Sequence, residues 1–251
     1  MKNTDLVSIV MPAYKAAAYI EDAIRSVQQQ DCTDWELLVV DDGSPDDTAG
    51  KVGKLADHDR RIKLIRQANA GPAMARQRAI VEARGRYIAF LDSDDYWLPE
   101  KLSRQLALMR STGAGLTYTG FRRITRDGAL VGELIAVPKS LDYRELLRNT
   151  AIATSSAVLD RSLTGPFEMR RAYYDDFVLW LELLKRGIKA RGLNEDLLRY
   201  RVVSKSVSRN KLKSAREVWR TYREIEHLSL GYSAWCFSNY ALNALLKYRK
   251  F

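Results

Sequence analysis

Over the first hundred positions, short unbroken apolar runs alternate with segments whose apolar residues recur every three to four positions. Leu6-Val7-Ser8-Ile9-Val10-Met11, Trp35-Glu36-Leu37-Leu38-Val39-Val40, Ile62-Lys63-Leu64-Ile65 and Tyr87-Ile88-Ala89-Phe90-Leu91 have the length and continuity of strands buried on both faces. Ile20, Ile24 and Val27 fall at helical spacing, and a second helix is predicted from the turn at Asp41-Asp42-Gly43-Ser44 to about Asp57. Pro72 to Ala83 reads as a third helix, with Gly85 as its stop. Such strands with helices between them predict an α/β fold, its central sheet mostly parallel and covered on both sides.

Beyond Asp95 the rhythm changes. The pattern predicts a helix from Pro99 to Ser111, strands at Gly115–Tyr118 and Ser155–Leu159, and an apolar helix from Asp175 to Gly187. A late strand is expected at Leu197–Arg201, and from Lys211 onward two helices that divide near Gly231. No repeat or low-complexity linker interrupts the chain.

The polar clusters recur at one kind of place. Pro12-Ala13-Tyr14, Asp41-Asp42-Gly43-Ser44 and Asp92-Ser93-Asp94 each follow the carboxyl end of a predicted strand, the edge at which open α/β sheets bind ligands. Alternate carboxylates such as Asp92 and Asp94 suit a hard cation, Mn²⁺ or Mg²⁺, whose remaining ligands are substrate phosphate oxygens. Such a pair also occurs in plain solvated turns, so its setting carries more weight than the pair itself.

That setting resembles glycosyltransferase family 2. The resemblance rests on Ser8-Ile9-Val10-Met11-Pro12-Ala13-Tyr14, Glu36-Leu37-Leu38-Val39-Val40-Asp41-Asp42-Gly43-Ser44, Asn69-Ala70-Gly71-Pro72-Ala73-Met74-Ala75-Arg76 and Gly85-Arg86-Tyr87-Ile88-Ala89-Phe90-Leu91-Asp92-Ser93-Asp94-Asp95, in that order over roughly the first 110 residues. It implies a Rossmann-like GT-A fold, a nucleotide diphosphate sugar donor and inversion at the anomeric carbon. Carried over by position, it puts Pro12 and Tyr14 at the nucleotide, and Asp42 or Asp41 at the base, where a carboxylate accepts from the N3–H of uracil. Arg76 falls near donor phosphate or sugar, Asp92 and Ser93 at the ribose or sugar hydroxyls, and Asp94 on the metal. In Asp175-Asp176-Phe177-Val178-Leu179-Trp180 the family's usual Glu-Asp pair is Asp-Asp. Asp176 holds the position of the general base and Asp175 is its alternate. Leu198-Arg199-Tyr200-Arg201 and Ser206-Val207-Ser208 match a segment that would close on the diphosphate through Arg201 or Lys205, although the family's His near Val203 is absent. The implied layout is a catalytic domain over 1–208, with a donor half to 110 and an acceptor half from 111, followed by a helical extension over 209–251.

Composition changes this picture at two points. Apolar content of 46% and charged content of 29% in 251 residues describe an ordinary globular chain. Cys32 and Cys236 are isolated, and His58 and His227 form no zinc pattern, which argues against structural zinc and a cysteine nucleophile. The net charge of +10 is uneven, since residues 209–251 hold nine Lys/Arg against three Glu. There Trp219, Tyr222, Tyr232, Trp235, Phe237, Tyr240, Tyr248 and Phe251 interleave with cations. These aromatics either dock on an anionic inner-leaflet surface, near a glycan or lipid-linked glycan acceptor, or pack on the catalytic domain. No apolar leader or membrane-length run is evident, so a cytoplasmic enzyme, peripheral at most, is expected. Two rivals stand against this reading. A nucleotidyltransferase would want a Gly-rich basic loop where Pro12–Ala18 has none. A nucleic-acid binder would show a recognisable module, and an acidic crevice repels phosphate.

Overall fold

A computed structural model describes residues 5–149, 151–202 and 211–248. Strands β1 (Val7–Ala13), β2 (Trp35–Asp41) and β4 (Tyr87–Phe90) are buried along their whole lengths, as their unbroken apolar runs require. With β3 (Ile62–Arg66) they pair in parallel, linked by α1 (Ile20–Gln28), α2 (Thr48–His58) and α3 (Pro72–Glu82). The second half supplies β5 (Tyr96–Trp97), α4 (Lys101–Thr112), β6 (Leu116–Ile124), β7 (Val131–Ile135), β8 (Ser140–Leu141) and α5 (Tyr143–Leu147). After a 3₁₀ turn at Thr154–Ser156 come β9 (Val158–Asp160), α6 (Arg161–Thr164), α7 (Asp175–Lys185) and β10 (Ala190–Arg201). Helix α8 (Lys211–Arg220) runs into a π-helical turn, Thr221–Ile225, and α9 (Leu230–Tyr248) ends the described chain.

One sheet runs β3-β2-β1-β4-β9-β6-β10-β5, with β7 on β6 and β8 on β10. From β3 to β10 only β9 runs against the others, antiparallel to both β4 and β6. The sheet is therefore mostly parallel in its centre, and β1, β2, β4, β6 and β10 deliver their carboxyl ends to one edge. One face packs α1, α2 and α4 through Ile20, Ile24, Val52 and Leu102. The other packs α3 and α7 through Ala75, Ala79, Trp180 and Leu183.

Two departures from the sequence pattern have local causes. The segment at Ser155 and Ser156 turns instead of extending, because Ser156 Oγ donates to Ala153 O at 2.7 Å and Ser155 Oγ to Asp95. Short hydroxyl side chains offer the backbone this alternative to a ladder. β10 begins seven residues earlier than its apolar run, and its register on β6 shifts on both sides of Asp196, so the alternation a strand would show is lost. The C-terminal extension packs against the catalytic domain: Val218, Tyr222 and Cys236 are fully buried in the same core as Trp180. Tyr222 donates to Leu147 O, and Tyr143 to Glu226 at 2.6 Å. Tyr232, Phe237 and Tyr240 also pack on that core, while Trp235 stays 48% exposed. Tyr248, Phe251 and the boundary after 208 lie outside the side chains described. Among the described residues no helix is long and apolar enough to cross a membrane.

Candidate active site

The acidic loop lies between β4 and β5 and is held from behind. The Asp92 N–H donates to Ser155 Oγ at 3.0 Å, and Ser155 Oγ donates to the buried Asp95 carboxylate at 2.5 Å. Asp95 also accepts the Arg201 N–H at 2.8 Å. The Arg201 guanidinium donates to Asp94 O and Arg126 O, each at 2.9 Å, and reaches Asp22 at 3.4 Å. Arg201 is 5% exposed and lies against the Tyr19 ring. Every nitrogen of its guanidinium is engaged by protein, and it braces the loop. Lys205 and Ser206–Ser208 lie outside the described residues. Asp95 and Ser155 had no assigned role; the third carboxylate in Asp92-Ser93-Asp94-Asp95 and the hydroxyl run Thr154-Ser155-Ser156 were the available signals.

Asp94 is the carboxylate left over. Apart from its own backbone N–H, no described group donates to it. Burial and the nearby Asp92 charge push its carboxyl up to about 6. Ser93 beside it is half-buried. No cluster of three or more potential ligands occurs among the described residues. A protein-only cage is therefore absent there, but a hard cation that takes one or two carboxylates and finishes its shell with phosphate oxygens fits this donor set. Bringing a divalent charge to Asp94 also relieves the like-charge cost that raises its proton affinity.

Arg76 crosses from this loop to the start of α7. Its Nη2 donates to Asp92 at 2.5 Å and its Nη1 to Asp175 at 2.8 Å. Burial alone would lower its proton affinity, yet the Asp92 and Asp175 charges raise it, and it stays cationic. Its third nitrogen, Nε, is buried without a partner. Both hydrogen bonds formed by the guanidinium go to carboxylates, so Arg76 bridges two acidic segments.

That bridge separates the roles of the Asp pair. Asp175 is 7% exposed and tied to Arg76. Asp176 is half-buried, accepts from Thr154 Oγ1 at 2.5 Å and from the Phe177 N–H at 2.7 Å. Burial, then the Asp175 charge, push its carboxyl up to about 6. A carboxylate of that strength takes a proton more readily than an ordinary Asp and still exists deprotonated at neutral pH.

At the other end of the crevice Pro12 is buried opposite Val40, and Tyr14 stands 47% exposed just past β1. Asp42 is almost fully buried, and its carboxylate accepts from Gln67 Nε2 (2.7 Å), the Ala70 N–H (2.8 Å) and the Gly71 N–H (2.8 Å). Three donors leave at most one of its roughly four lone-pair positions for a base. It holds the loop ahead of α3, a structural role that can stand beside the expected contact with a base. Gly43 belongs to the same arrangement: its φ is +71°, and a Cβ there would lie 3.0 Å from Asn69 N. The Asp41 carboxylate, in a residue 5% exposed, accepts only from the Ser44 N–H at 3.2 Å among the described residues and keeps more capacity.

A mostly parallel sheet with an acidic loop at its carboxyl edge and a second acidic helix start across the cleft defines the GT-A class of glycosyltransferases. Residues 8–165 match the model for Glycosyl transferase family 2, and the chain belongs to that family. It is 41% identical over 244 residues to the putative teichuronic acid biosynthesis glycosyltransferase TuaG of Bacillus subtilis, covering 96% of this chain and 97% of the relative. It is 40% identical over 216 residues to the UDP-Glc:alpha-D-GlcNAc-diphosphoundecaprenol beta-1,3-glucosyltransferase WfgD of Escherichia coli, covering 85% and 84%. Two solved structures share the fold. The mannosyltransferase PcManGT from Pyrobaculum calidifontis, in complex with GDP-Man and Mn²⁺, gives a TM-score of 0.70 at 16% identity over 94% of this chain and 73% of that one. S. aureus TarS 1-349 with UDP-GlcNAc gives 0.68 at 18% over 88% and 67%. Family membership favours the transferase over the nucleotidyltransferase and nucleic-acid alternatives.

Proposed function

We propose that this glycosyltransferase is a metal-dependent, inverting enzyme that moves a sugar from a UDP-sugar to a hydroxyl of a lipid-linked glycan during cell-surface polysaccharide synthesis. The observation that carries the mechanism is the single guanidinium of Arg76 joining Asp92 to Asp175. It puts the loop that would hold the diphosphate within one side chain of the helix start that bears the base. Relatives named for teichuronic acid biosynthesis and for glucosyl transfer from UDP-Glc support the substrate class.

In this reading the base of the donor lies at Pro12, Tyr14 and the Asp41–Asp42 turn, where uracil N3–H finds a carboxylate acceptor. Asp94, with Asp92, would hold Mn²⁺ or Mg²⁺, which offsets the negative charge on the leaving diphosphate. Asp176 removes the proton of the acceptor hydroxyl as that oxygen forms its bond to C1. The C1–O bond to the diphosphate breaks on the opposite face, and one displacement inverts the anomeric centre. Asp95 and Arg201 keep the acidic loop in place, and Thr154 orients Asp176.

The test is donor hydrolysis and transfer with a nucleotide-sugar panel, with and without Mn²⁺. The wild type should release nucleoside diphosphate, UDP first, and Asp94→Ala should lose both the activity and its metal response. Release of no nucleoside diphosphate from any donor would overturn the proposal. A peripheral site on the inner leaflet belongs to the same reading: Trp235 and Leu242, seven residues apart on one face of α9, are 48% and 58% exposed, with the Arg148 guanidinium 5.1 Å from the Trp235 ring. Binding to phosphatidylglycerol vesicles should fall with salt and with Trp235→Ala; equal indifference to both refutes it.

A further inference from the structure

Beside the base helix lies a cavity of about 610 Å³, within the ~300–1,000 Å³ range of small-molecule sites. Its walls come from three places. The turn at Gly71–Ala73 opens α3, Arg171 and Tyr173 lie just ahead of α7, and Glu217, Arg220, Glu224 and Ile225 belong to α8 and the π-helical turn. Two of these walls lead straight into the chemistry. Asp175 follows Tyr173 by two residues, and Arg76, which pins Asp175, lies one turn into α3. Lys213 of α8 reaches the Tyr173 ring at 4.9 Å, so the extension is fastened to this wall.

We infer that this cavity is the acceptor site, that it binds a saccharide, and that the C-terminal extension forms one of its sides. The inference rests on the glycosyltransferase reading and deepens it. The lining has the chemistry that sugars need. Glu217 and Glu224 present carboxylate acceptors and Arg171 a planar donor, while Arg220, whose three nitrogens all go to Glu217 and Glu224, holds those carboxylates in place; the set can meet neighbouring hydroxyls, each of which both donates and accepts. The charges alternate along α8, where Arg220 bonds Glu224 at 3.1 Å and approaches Glu217 at 3.5 Å, so the site has mixed sign and no strong preference for an anion. Tyr173 and the 42% exposed Ile225 add apolar surface for the C–H face of a ring. The π-helical turn itself, a local departure from α-helix at Thr221–Ile225, brings Glu224 and Ile225 to the opening; such turns are frequent at functional sites.

The test measures initial rates with UDP-glucose and UDP-N-acetylglucosamine as donors. The acceptors are p-nitrophenyl glycosides of hexoses, N-acetylhexosamines and hexuronic acids in both anomers. Tyr173→Ala, Arg171→Ala and Glu217→Gln should each raise the acceptor KM at least tenfold while the donor KM stays within about twofold. Unchanged circular dichroism, together with a retained donor KM, separates loss of the site from loss of the fold. The inference is overturned if acceptor KM stays within twofold in all three variants, or if donor KM rises in parallel, which would make the cavity part of the donor site. It is equally overturned if the wild type hydrolyses a donor and no glycoside accelerates donor loss. A wild type that hydrolyses no donor at all refutes the transferase reading instead, and the acceptor site with it.

Discussion

Replacing Arg76 with Met keeps a long unbranched side chain and removes the one cation between Asp92 and Asp175. Both carboxylates then stay where they are without a partner. The Arg76 side chain is 8% exposed and that of Asp175 9%, so their pair sits in a weakly screened setting, whereas Asp92, at 27%, recovers part of its loss from water. Removing one member of a buried pair costs about 3–5 kcal/mol. At ~2–4 °C per kcal/mol for a chain of this size, the melting temperature should fall by roughly 6–20 °C. A second effect is specific to the proposed role. The Arg76 charge favours the ionised form of Asp176, whose carboxyl already stands at about 6. Without that charge it rises further. Because the base acts deprotonated, the acidic limb of kcat/KM against pH, near pH 6 in the wild type, should move to higher pH. Arg76→Lys should recover little, since an ammonium is a point charge and cannot span two carboxylates as a planar fork does. The assays are a thermal melt and a pH profile of donor hydrolysis. A variant that melts within about 2 °C of wild type and keeps its acidic limb in place refutes the bridge and the order of events built on it.

Asp176→Asn removes the base while keeping size and the Thr154 hydrogen bond, so kcat for transfer should fall by ~10²–10⁴; donor affinity by isothermal calorimetry should change less than about twofold, and a large loss of donor binding would contradict the assignment. Asp42→Ala takes away the acceptor for three donors of the loop 67–71 and should cost about 1–3 kcal/mol in chemical denaturation; a loss of UDP affinity without a loss of stability would refute its role in holding the loop. Lys101, fully buried with its Nζ 3.9 Å from the Trp97 ring and no hydrogen-bond partner, is pushed by burial well below the usual lysine range. A lysine so depressed binds its proton more weakly folded than unfolded, so its cost to stability grows as pH falls below its ordinary value. Lys101→Met should therefore raise the melting temperature, more at pH 6 than at pH 9; a lower one at both refutes this account.

Much of the site was legible because its parts are local. Asp92-Ser93-Asp94, Asp41-Asp42-Gly43-Ser44 and Asp175-Asp176 each sit at the end of an element whose type follows from periodicity, and parallel strands take such ends to one edge. Strand direction could not be read so locally. Val158-Leu159 is apolar whichever way it runs, and only its neighbours β4 and β6 make it antiparallel.

What the sequence by itself determined is therefore the alternation of buried strands and helices, the family, and the residue types gathered at the carboxyl edge. Tertiary structure decided which side chain each charge meets. Arg76 and Asp175 are 99 residues apart and Arg201 and Asp95 are 106; no spacing rule connects them, and only burial, which makes an unpaired charge costly, brings each pair together. The same holds for the acceptor wall. Val218 and Tyr222 mark one apolar stripe on a helix, but the surface that receives that stripe is formed only when α5 and α7 have packed.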